Sequence, residues 1–188
     1  MEKIDEERKK LVNNQVYNIE QLYSLITPLQ LYFNEIGGYV KGREFISKTN
    51  NIKYDYTRDK PFYLFDLRKK YFNDNKILWH VHPFQGEKIW NCYPSLPDLQ
   101  SMANNPGKIF VLITKCGTFL YFSVLPYRYD ITEKEYKNLH GNVFYNIETL
   151  NDNPYIKTTG YQILFYNNSI PNHERDVFTN LQSIVDSF

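Results

Sequence analysis

Two apolar, β-rich runs, residues 108–115 (KIFVLITK) and 118–125 (TFLYFSVL), meet at Cys116-Gly117. Their branched and aromatic residues favour strands, and the pair reads as a hairpin. Residues 61–67 and 76–82 read as further strands, 35–41 as a short one, and 161–166 as a possible one. Helical spacing appears in 16–33, where Val16, Ile19, Leu22, Tyr23, Ile26, Leu29 and Tyr32 fall near one face. Pro28 is expected to kink or split that helix, and Gly37 and Gly38 follow its end. Residues 132–150 and 171–188 read as helices, and another helix is expected to start at Ser95. Residues 43–60 are polar without a clean period and read as a loop or irregular hairpin. No internal repeat or linker divides the chain. The expectation is an α/β fold, a single domain over residues 15–188 with a mixed β-sheet flanked by helices, preceded by a charged tail at 1–14.

Composition narrows what the chain can do. Its 188 residues are enough for a substantial core, and 42% of them are hydrophobic, which excludes a disordered composition. Net charge is +1, so no global field attracts nucleic acid, and Arg68-Lys69-Lys70 reads as a solvated face. No apolar stretch approaches the roughly 18 residues that span a bilayer. The N-terminus is charged with no apolar run behind it, unlike a signal peptide. Cys92 and Cys116 fit no zinc-knuckle spacing and make no disulfide framework, so a reducing compartment and a soluble, cytoplasmic protein are expected.

The residues that carry chemistry lie in WHVHPFQGEKIWNCYPSLPDL, residues 79–99. Side chains alternate along a strand, so His80 and His82 share one face, with their backbones about 7 Å apart. Two imidazoles on one face can converge on one ion, and zinc takes nitrogen, sulfur and oxygen ligands with one position open in catalytic sites. Asp98 is the nearest third ligand. It has a second reading: Ser95-x-x-Asp98 is a helix N-terminal capping motif, with Pro97 suited to a helix start and Leu96, Leu99 and Met102 facing the core. Glu35, before Gly37-Gly38 and Gly42, is a candidate general base. Its other reading is a solvated glutamate at a helix end.

Taken in order, Glu35-Ile36-Gly37-Gly38 with Gly42, His80-Val81-His82-Pro83 and Ser95-x-x-Asp98 resemble the JAMM (MPN+/JAB) zinc metalloprotease family. The resemblance covers residues 16–125. Twelve residues separate His82 from Ser95, more than is usual in the family, so 84–94 reads as an insertion. The resemblance implies an MPN/JAB-like domain with one Zn2+ per chain. His80, His82 and Asp98 would hold the metal with water as the fourth ligand. Glu35 would act as general base and Ser95 would donate to the oxyanion. It implies deubiquitinase-like hydrolysis of peptide or isopeptide bonds after the tail of ubiquitin or a ubiquitin-like protein, whose conjugates would be the partners.

Other residues carry less. Trp90 and Tyr93 in the inserted loop read either as a wall or lid of a substrate groove or as anchors of the loop. Cys92 lies beside the expected site, Cys116 reads as structural, and His140 and His173 read as surface histidines. Two further functions fit the same residues: a catalytically silent MPN-type scaffold, and a zinc hydrolase acting on another small conjugate.

Overall fold

The computed structural model describes residues 15–30, 36–48, 52–54, 63–65, 70–82, 92–142, 155–157, 160–168 and 173–188. The charged tail expected at 1–14 lies outside them. The architecture is α/β, and the chain falls into two units, Met1–Cys92 with Leu112–Lys115, and Tyr93–Val111 with Cys116–Phe188.

The first unit begins with a correction. Val16–Tyr17 is a strand (β1), and the helix (α1) runs from Ile19 to Gln30. Asn18 marks the boundary, because its Oδ1 accepts the Gln21 N–H while Gln21 Oε1 accepts the Asn18 N–H, both at 2.8 Å. This reciprocal cap satisfies two donors that a helix start leaves open. Ile19, Leu22 and Ile26 then form the buried stripe. Strand β2 (Ile36–Lys41) turns back at Gly42, whose φ of 63° suits glycine, into β3 (Glu44–Ser47). Part of the segment read as a loop or irregular hairpin is a paired strand, with Phe45 and Ser47 buried. β1 pairs with β3, placing Val16 opposite Ile46 and Tyr17 opposite Phe45. A separate pair, β4 (Ile52–Tyr54) and β5 (Tyr63–Phe65), precedes a short helix, α2 (Lys70–Asp74), which the sequence reading did not foresee.

Strand β6 (Ile77–Val81) lies antiparallel to β2, with Gly37 opposite His80 and Gly38 opposite Trp79. The strand order is β1-β3-β2-β6, and the end of β7 (Ile109–Ile113) follows, where the His82 N–H donates to the Ile113 carbonyl at 3.0 Å. Trp79 is fully buried. Its Nε1 donates to the carbonyls of Tyr39 at 3.0 Å and Ile46 at 3.3 Å, and its ring meets Phe45 edge-on. The Ile46 carbonyl also fills the space beside Gly38, where an added Cβ would lie 1.8 Å from its oxygen.

In the second unit the order is β7-β8-β10-β9, with β8 at Gly117–Ser123, β9 at Tyr155–Lys157 and β10 at Tyr161–Asn167. β7 and β8 are buried along their whole length, as suits the apolar runs that announced them. The helices are α3 (Leu96–Ala103), α4 (Glu133–Asn142) and α5 (His173–Ser187). The last buries Val177, Phe178, Leu181 and Ile184. It also buries His173, which corrects the expectation of a surface histidine. The Nε2 of His173 lies 3.3 Å from the Thr118 hydroxyl. The side chain of His140 lies outside the described residues.

Two outcomes follow for the fold. Gly38→Ala has no room and is expected to lower the urea midpoint far more than Gly42→Ala, where only the left-handed backbone is strained, at a cost of about 1 kcal/mol. Equal losses would contradict the close approach at Gly38. Burial lowers the pKa of His173 below its ordinary 6.5, with the Asp176 carboxylate opposing. The native state then takes up its proton at lower pH than the unfolded chain. The stability this histidine contributes is complete above about pH 6.5 and is lost as pH falls through its native pKa. Unfolding curves between about pH 7 and 5 should fall less steeply in His173→Gln than in the parent chain, and parallel curves would refute this.

Candidate metal centre

Strand alternation delivers the two histidines as the sequence implied. Trp79 and Val81 are buried on one face of β6, while His80 and His82 lie on the other at 8% and 6% exposure. Their Nε2 atoms are 3.2 Å apart, with the rings inclined at 64°. At this distance the two nitrogens either share a proton or aim both lone pairs at a common cation.

Asp98 comes from the start of α3, and its position follows from local chemistry. Ser95 is the N-cap in extended backbone, and its hydroxyl accepts the Asp98 N–H at 3.2 Å. In return Asp98 Oδ2 accepts the Ser95 N–H at 2.9 Å, which completes a capping box. Leu99 and Met102 are buried behind it, and Leu96 is half-buried. The capping and ligand readings of Asp98 thus coexist, since a carboxylate has two oxygens and the cap engages one.

His80, His82 and Asp98 each offer one ligand atom, and these atoms all lie within 4.8 Å of one another, so the group could hold a metal ion. The donor set suits zinc: two nitrogens, each about 2.0–2.1 Å from a tetrahedral ion, stand about 3.3 Å apart.

Of the other residues singled out, Glu35 and Trp90 lie outside the described residues. Ile36, next to Glu35, pairs with Val81, next to His82. Tyr93 is buried, and burial pushes its hydroxyl above the ordinary 10.0. Both cysteines are disulfide-bonded and the chain has no others, so Cys92 joins Cys116 and neither is a ligand. This corrects the expectation of reduced thiols. Among the described residues no helix is long and apolar enough to cross a membrane.

One residue near Asp98 was not foreseen. Tyr136, on α4, donates its hydroxyl to the Pro94 carbonyl at 3.0 Å. Burial, then the Asp98 carboxylate and the Tyr93 hydroxyl, push its pKa far above the ordinary 10.0, so it remains a proton donor. Comparison with protein-family models, curated proteins and solved structures finds no match.

Elemental analysis of purified protein should find about one metal ion per chain, in keeping with the three-ligand group among the described residues. Ser95→Ala and Asp98→Ala should each cost the metal-free fold about 1 kcal/mol through the lost cap. Only Asp98→Ala should also lose the ion, with affinity reduced more than the roughly 10–100-fold of an outer-sphere change. Full metal content in Asp98→Ala would reduce this residue to a helix cap.

Proposed function

We propose that the chain is a zinc-dependent metalloprotease of the JAMM type, hydrolysing a peptide or isopeptide bond after the C-terminal tail of ubiquitin or a ubiquitin-like protein. The observation that carries the reading is the convergence of His80, His82 and Asp98 within 4.8 Å, with Ser95 joined to Asp98 in one capping box.

In this reading His80, His82 and Asp98 hold the ion. Zinc there supplies Lewis acidity and a nucleophile at neutral pH. The chain's own groups do the rest. Glu35 takes a proton from the attacking water and returns it to the leaving amine. Ser95 Oγ accepts the Asp98 N–H, which uses a lone pair and leaves its hydroxyl proton to donate to the oxyanion of the scissile carbonyl. The cap therefore orients the oxyanion donor as well as the ligand. The burial of both histidines keeps bulk water from competing for their nitrogens.

The test is a panel of ubiquitin and ubiquitin-like conjugates, each with a Gly-Gly tail on a lysine, incubated with and without a chelator. Cleavage is expected, and it should stop when metal is removed. Glu35→Gln, nearly isosteric but unable to take the proton, should keep its zinc and cut about 10²–10⁴-fold more slowly. Near-normal cleavage by Glu35→Gln would remove Glu35 from the mechanism. A parent chain inert towards every conjugate would sink the isopeptidase reading.

A further inference from the structure

We infer that Tyr136 is a positioning residue for the Asp98 carboxylate, acting through the peptide group between Pro94 and Ser95. The inference rests on the metal-binding reading above and adds an outer-sphere residue that the motif does not contain.

The geometry is a relay through one amide. The Tyr136 hydroxyl donates to the Pro94 carbonyl at 3.0 Å. The N–H of the same peptide group, that of Ser95, donates to Asp98 Oδ2 at 2.9 Å. A peptide that accepts at its oxygen is polarised and donates more strongly at its nitrogen, so the two bonds reinforce each other. The relay holds one oxygen of Asp98 and so sets the direction of the other. Groups that orient a ligating side chain in this way typically govern metal affinity by about 10–100-fold.

Tyr136 is itself held in place. Thr132 caps the start of α4, its hydroxyl accepting the Glu135 N–H at 3.1 Å. The segment before α4 is tied to α3 at the end away from Ser95. There Gln100 Oε1 accepts the Ile131 N–H at 2.9 Å, Gln100 Nε2 donates to Asp130 at 2.8 Å, and the Tyr129 N–H donates to the Ala103 carbonyl at 3.3 Å. Helix α3 is thus gripped at both ends by one stretch of chain, and Tyr136 is the grip at the Asp98 end.

The experiment compares zinc affinity, measured by chelator competition, in the parent chain, Tyr136→Phe and Tyr129→Phe. Tyr129 is the control, because its hydroxyl donates to the Gly160 carbonyl at 2.8 Å, away from the relay. Tyr136→Phe should bind zinc about 10-fold more weakly, and Tyr129→Phe as tightly as the parent. In metal-free protein the Ser95 amide proton should move upfield in Tyr136→Phe alone, a signature that loosened packing would not confine to one variant. Equal zinc affinity in Tyr136→Phe and the parent overturns the inference and leaves the metal site standing, as does an equal loss in Tyr129→Phe. A parent chain that takes up no zinc overturns the metal reading and this inference together.

Discussion

A carboxylate that closes a helix start is oriented by the backbone N–H it accepts, and the candidate centre depends on that bond. Asp98 Oδ2 accepts the Ser95 N–H, and the Ser95 hydroxyl accepts the Asp98 N–H. The box fixes the backbone at both ends of a four-residue step, so the side chain of Asp98 has little rotational freedom left to lose when it binds an ion. That matters because ordering a free side chain costs up to about 1.5–2 kcal/mol. A helix N-terminus also favours negative charge, which suits a carboxylate at the position of Asp98. The same residue pair prepares the ligand and the hydroxyl beside it.

The histidine half of the group depends on a different constraint, the room available on either side of β2. Gly38 lies opposite both Ser47 and Trp79, and the Ile46 carbonyl stands where its side chain would be. That carbonyl and the Tyr39 carbonyl both receive the Trp79 indole N–H. Trp79 is thereby locked on its face of β6, and strand alternation commits His80 and His82 to the other. A one-residue slip in register would exchange the faces and bury the indole where the imidazoles now sit. The Gly-Gly step, far from the histidines in sequence, is part of what aims them.

Features encoded within a few residues were legible in the sequence. The period of β6 and the Ser95-x-x-Asp98 box each needed no distant partner to be read. Features that depend on pairing were not. Val16 continues the helical spacing of α1, and only its pairing with Ile46 makes it part of a strand. Four residues of alternation in β3 are too few to stand out from a polar segment. Tyr136 reaches Pro94 across 42 positions, and nothing local marks it. The case of His173 differs, because a signal was present. His173, Val177, Leu181 and Ile184 recur at helical spacing, which puts the histidine on the buried stripe of α5 in spite of its polar neighbours.

The long connection between His82 and Ser95 is the feature that most separates this chain from the motif it resembles, and the structure indicates why length matters little there. A loop that doubles in length costs only about 0.6 kcal/mol more to close. What a metal ligand needs is a fixed point of re-entry, and the residues just before Ser95 are secured independently of the loop. The Cys92 carbonyl accepts the Thr114 hydroxyl at 3.2 Å, and its sulfur is bonded to Cys116. Tyr93 is buried, and the Pro94 carbonyl is held by Tyr136. Three consecutive residues are thus pinned by a disulfide, by packing and by a hydrogen bond before the cap begins. Asp98 inherits its position from these anchors and from the capping box.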